Sequence, residues 1–192
     1  MYDYYGVYKS CRDAAWRCHI DFCICSLPVS LLSLAHAAGI RIIKDSDACE
    51  LRENESGAGI FLDGQWIIVY DDKLELSESR MVIAHELGHN FLGHEYKYAD
   101  MRFQKGSGRL KSEREADLFA MRLLAPACVL HELGASSAKE IADLCSIPRS
   151  AANKRARRMT TLENRNCFYK SSLETKVAAN YRQFIDSRKS LI

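Results

Sequence analysis

Residues 85–89 read His-Glu-Leu-Gly-His. On a helix, residues four apart lie one above the other, so His85 and His89 can present two imidazole nitrogens to a single ion. Glu86 sits one residue round from that pair. There its carboxylate can reach a water on the metal without ligating the metal itself, which is the position a general base needs for hydrolysis. A catalytic zinc takes three protein ligands and leaves a fourth position open, so a further ligand must come from elsewhere. The string SEREADLFAMRLLAP, from Ser112, offers Glu113 on the next helical stretch. Asp117 stands four residues on, on the same face, placed to accept a hydrogen bond from a ligand histidine and fix its tautomer. Glu115 is the competing ligand. Glu113 is preferred because only it shares a face with Asp117. An isolated HExxH string is equally compatible with an amphipathic helix carrying two solvated histidines, and the downstream carboxylates are what favour the metal.

Other residues of the same chemical types are read more plainly. His131-Glu-Leu-Gly134 repeats the first four letters, but Ala135 stands where a second histidine would be needed, so this is a helix closed by Gly134. His94, Tyr96 and Tyr98 follow the motif closely enough to face substrate or an oxyanion. The other reading of His94 is a polar charge partner at a helix C-terminus. Cys18, Cys23 and Cys25 beside His19 lack paired CxxC spacing and read as half-buried thiols rather than a second zinc site. With eight cysteines and no export signal in the opening residues, the chain reads as cytosolic with reduced thiols.

The elements that must position these groups follow from periodicity. The chain of 192 residues, with net charge +2 and 47% hydrophobic residues, is long enough for a proper core and carries no apolar run of membrane-spanning length. Apolar positions recur at helical spacing over 4–25. Pro28 opens a short helix that Gly39 closes. The stretches IRIIKD, GAGIFLDG and QWIIVYDD are β-rich, and Asp63-Gly64 marks a hairpin. A helix capped by Ser77 or Ser79 carries the histidines. Residues 95–111 read as a polar, basic loop, and the residue order leaves open whether it forms a lid that gates access. The next helix starts near Ser112, with Ser112 and Glu115 as a capping box, and stops at Pro126. Its positions Ala116, Phe119, Ala120, Leu123 and Leu124 form the stripe that docks it on the histidine helix. The expected division is a core over 1–127 and a helical segment over 128–192.

HELGHNFLGH followed by EREADLFAMRLLAP resembles the ImmA/IrrE family of soluble bacterial metallopeptidases, often encoded on phages and integrative elements. The resemblance covers about residues 30 to 160. It implies an α+β, zincin-like core in which a short sheet packs on the metal-binding helices. By position it implies His85, His89 and Glu113 as ligands, Glu86 as base and Asp117 as orienting group, with zinc as the ion and manganese as the alternative. It also implies a helix-turn-helix transcriptional repressor as the protein substrate. Leu124-Ala125-Pro126 departs from the LLMP ending usual in the family, a change of packing rather than of chemistry. A substrate strand would add to the sheet edge, placed by the sequence around Trp66–Tyr70.

Residues 138–159 read as helix, turn, helix, with Ile147-Pro148 at the turn and Ser150 capping the second helix. That helix carries Lys154, Arg155, Arg157 and Arg158, which would suit DNA phosphates. Packing or partner docking is the preferred reading, because one basic half-site gives little specificity. A DNA-binding regulator with a structural or sensory metal stays open as the alternative.

Overall fold

The computed structural model describes residues 4–94 and 107–190. Helix α1 (Tyr4–Asp21) leads to α2 (Leu31–Ala37), β1 (Ile40–Lys44), the single turn α3 (Asp45–Ala48), β2 (Gly57–Leu62) and β3 (Gln65–Tyr70). Then come α4 (Leu76–Phe91), α5 (Ser107–Leu124), α6 (Ala127–Glu132), α7 (Ala138–Cys145), α8 (Arg149–Asn164), α9 (Ser172–Asn180) and α10 (Arg182–Lys189). The class is α+β, with a small sheet beside packed helices. No helix among the described residues is long and apolar enough to cross a membrane.

The hairpin forms where Asp63 and Gly64 both take positive φ, 50° and 79°, the backbone that lets a two-residue turn follow the twist of its strands. The strand order is β1-β3-β2, with β1 parallel and β2 antiparallel to β3. Trp66–Tyr70 therefore lie on the central strand, not the edge where the sequence placed them. The uninterrupted run Trp66-Ile67-Ile68-Val69 carries that information, because Ile68 and Val69 point to opposite faces and are both buried. The edge nearer the histidine helix is β2.

Three helix starts differ from the sequence reading. Helix α4 begins after Glu75, and Ser79 turns its hydroxyl back to Leu74 O and Glu75 O, both at 3.3 Å, instead of capping the helix. Helix α5 begins at Ser107, five residues before Ser112, so Ser112 and Glu115 are interior positions. Helix α8 begins after Pro148, ahead of Ser150. A capping box does form, at α7, where Ser137 and Glu140 exchange bonds of 3.2 and 3.0 Å. Pro28 precedes α2, whose cap is Ser30.

Ala116, Phe119, Ala120, Leu123 and Leu124 are wholly buried, the stripe expected of α5. Helix α4 lies across that stripe, and α1 covers another side of α5. The C-terminal helices return to α1. There the Asn180 amide donates to His19 O at 3.1 Å, and the Tyr181 hydroxyl meets His19 Nδ1 at 3.1 Å. One apolar cluster runs from Ala15 and Trp16 through Leu87, Phe119 and Leu123 to Tyr181 and Ile185.

Burial holds the His19 imidazole down at about 4. Its unfolded counterpart protonates near pH 6.5, so the stability held in the neutral ring is complete above that pH and is lost as pH falls towards 4. Wild type should lose about 2 kcal/mol more than His19→Gln between pH 7 and pH 5. Urea unfolding at the two pH values measures the difference, and parallel slopes would remove His19 as its source.

Candidate metal centre

Helix α4 delivers His85 and His89 from one face, and Gly88 lets α5 approach behind them. A Cβ at Gly88 would stand 3.1 Å from Ala116 Cα and from Phe119 Cδ1, so the two helices meet nearly backbone to backbone. That closeness brings Glu113 within reach. His85 Nε2 lies 3.0 Å from His89 Nε2 and 3.1 Å from Glu113 Oε2, and His89 Nε2 lies 3.9 Å from the same oxygen. Bonds of about 2.0 Å in a tetrahedron set ligand atoms about 3.3 Å apart. The observed spacings bracket that value, and these three residues form the one such group among the described residues.

The far sides of both rings are held. His85 Nδ1 meets Asp117 Oδ1 at 2.9 Å. His89 Nδ1 meets His94 Nδ1 at 3.0 Å, and His94 Nε2 meets Glu115 Oε2 at 2.9 Å. With the His94 Nε2 proton on Glu115, His94 Nδ1 is an acceptor, so His89 must donate from Nδ1. Both ligand rings then turn an Nε2 lone pair inward beside a carboxylate, an arrangement that calls for a cation. In the metal-free chain a proton answers that call: burial opposes it, but Asp117 and Glu113 raise His85 to about 10. The same contacts, His85 first, hold the Glu113 carboxyl well below its usual range. A metal must displace this proton to bind.

Glu86 lies beside the three. Burial, with help from Glu113, raises its carboxyl above the usual range against the opposing pull of both histidines, and the Gly59 N–H of β2 donates to it. A cleft of about 280 Å³ opens over His85, Glu86 and Asp117, walled by Gly57, Met81 and Val82.

The structure divides the remaining sequence candidates. His94 has both ring nitrogens engaged, by His89 and Glu115, and a side chain only 10% exposed, so its contacts run to His89 rather than into the cleft over His85 and Glu86. Glu115, weighed as a ligand, is instead His94's partner. Tyr96 and Tyr98 lie outside the described residues, as does most of the stretch 95–111. Lys154 and Arg157 are exposed. Arg155 is buried with its guanidinium on Ala125 O, and Arg158 donates to the Tyr8 hydroxyl at 3.0 Å. Arg155 therefore cannot touch a phosphate on the outer face of α8. His131 stacks on Phe168 and bonds Glu163, far in sequence from the centre.

The His94 contact has a measurable consequence. His94→Leu should weaken zinc binding by about ten- to a hundredfold, because His89 loses the group that fixes its tautomer. Chelator competition reads this directly, and unchanged affinity would show that His89 is oriented without it.

No curated protein matches the chain. The sequence model of peptidase family M78, the IrrE N-terminal-like domain, matches residues 35–157, which span β1 to most of α8 and contain every group of the metal centre. By that match, over well more than half its length, the chain belongs to the ImmA/IrrE family of metallopeptidases.

Proposed function

We propose that the chain is a zinc-dependent endopeptidase that cuts a helix-turn-helix repressor at a specific site and so relieves repression of mobile-element or stress genes. The observation that carries the enzymatic reading is the convergence of two Nε2 lone pairs and one carboxylate beside a second, half-buried carboxylate, Glu86, that stands outside the three. His85, His89 and Glu113 would hold the ion, with manganese the alternative to zinc. When bound, the ion would supply a water acidified towards neutrality and a Lewis acid for the scissile carbonyl.

The chain's own residues do the rest. Glu86 takes the proton of the attacking water and delivers it to the leaving amide nitrogen. Its raised affinity for a proton suits a group that must hold one between the two transfers, and the Gly59 N–H fixes the carboxylate. The open edge of β2 runs past that carboxylate, so an extended substrate segment would lie along β2 and add to the sheet. Asp117 and the His94–Glu115 pair keep the ligand rings from turning.

A DNA-binding regulator with a structural metal finds less support, since Arg155 and Arg158 turn inward and a structural site has no use for Glu86. The test is direct. The repressor encoded nearest the gene is incubated with zinc-loaded or chelator-treated protein and weighed by mass spectrometry. Two fragments in the loaded sample alone are expected. An intact repressor beside fully loaded protein would remove this substrate class.

A further inference from the structure

A second and larger cleft, about 1140 Å³, runs between α4, α5 and α8, with Tyr8 of α1 at one wall. Its lining is strongly one-sided in charge. Arg114, Arg122, Lys154, Arg155, Arg158 and Arg165 contribute six basic groups, against Glu78 and Asp117, and Asp117 is already engaged by His85.

Three of the arginines converge. The Arg122 guanidinium stands 4.0 Å from the Tyr8 ring centroid and that of Arg158 stands 5.0 Å from it. Arg155 lies close enough to both Arg122 and Tyr8 to feel their charges. Arg122 and Arg155 are 5% and 4% exposed, and among the described residues no carboxylate pairs with either. Each gives one donor to a main-chain carbonyl, Leu118 O at 2.5 Å and Ala125 O respectively, while the Nε–H of each has no acceptor.

Burial and the neighbouring Arg122 pull Arg155 down to about 10, which still leaves it charged at neutral pH. Burial raises the Tyr8 phenol, but Arg122, Arg158 and Arg155 outweigh it and bring it below its usual value. Two buried, like-charged guanidinium groups with donors to spare and no counter-charge are costly unless an anion completes them. The planar fork of arginine fits phosphate and carboxylate oxygens in pairs.

We propose that this cleft is an oxyanion-binding site in which Arg122, Arg155 and Arg158 receive a phosphate or carboxylate group, with Lys154 and Arg165 at its rim. The oxyanion comes either from a phosphorylated small molecule or from an acidic side chain of a polypeptide lying in the cleft. The second source has a route, because Ser56, Met81, Val82 and Asp117 wall both this cleft and the one over the metal centre. The site does not depend on the peptidase reading.

The test uses the full chain, metal-free so that anions cannot bind at zinc, titrated calorimetrically with pyrophosphate and with acetyl-tetraglutamate. Sodium chloride at matched ionic strength is the reference. Saturable binding of one equivalent is expected, weakened at least about tenfold in Arg155→Met and in Arg158→Met. The Arg158 side chain is only half-buried, so that variant tests the site even if the first folds poorly. Binding of pyrophosphate alone assigns the site to a small phosphorylated ligand, and binding of tetraglutamate assigns it to an acidic polypeptide segment. Neither anion binding above the chloride reference, or both variants binding like wild type, would overturn the proposal.

Discussion

Glu86→Gln should keep one zinc ion per chain and slow peptide-bond cleavage by about 10²- to 10⁴-fold, the usual contribution of a positioned general base. The substitution is nearly isosteric. Its amide oxygen can still accept the Gly59 N–H, and His85, His89 and Glu113 are untouched, so the metal content stays as it is. Only the capacity to take up and return a proton is gone. The pH dependence follows from the same group. Burial raises the Glu86 carboxyl, so the active carboxylate is lost on acidification at a pH above the ordinary carboxylate range. Cleavage rates measured beside metal content would decide the matter, and a variant cutting at the wild-type rate would end the assignment of Glu86 as base.

Gly88→Val should destabilise the chain by about 3 kcal/mol and weaken metal binding with it. A helix interior ordinarily gains about 1 kcal/mol when glycine becomes alanine. Here even the first carbon meets Ala116 Cα at 3.1 Å and Ala116 O at 3.2 Å, atoms of a helix backbone that cannot rotate aside. Two further methyl groups force α4 and α5 apart, and that joint sets the distance between the histidines and Glu113. Urea unfolding and zinc competition should therefore move together. Wild-type values for both would mean that the joint is softer than its packing implies.

Much of this centre is legible in the residue order because it rests on short-range periodicity. A step of four puts His85 over His89 and Glu113 over Asp117, and the α5 stripe says which side faces inward. What escaped depends on contacts between elements. The Ser-Glu-Arg-Glu string at 112 has the letters of a capping box, but the chain enters α5 a turn earlier. The run Trp66–Val69 does signal a strand covered on both faces, but which strand lies on its far side is not in the residue order, since the parallel pairing with β1 is a long-range event. His94 looked like a residue leaving a helix. Gly93, at φ 63°, turns the backbone back so that the His94 N–H donates to His89 O at 3.0 Å and its ring returns to His89. Arg155 was readable in principle: it lies three residues after Ala152 and four before Met159, on the stripe that α8 buries.

Helix α1 lies outside the stretch that identifies the family, yet it lays Cys11, Ala15 and Cys18, all at most 3% exposed, into the protein interior and packs on the helix that supplies Glu113. A fragment trimmed to residues 35–157 would retain every ligand, the base and both orienting arms. It would also bare the back of α5 to water and strip both Tyr8 and Arg158 from beside Arg122. The boundary of recognisable ancestry and the boundary of the folding unit are thus different lines on this chain, and expression of the peptidase alone has to respect the second.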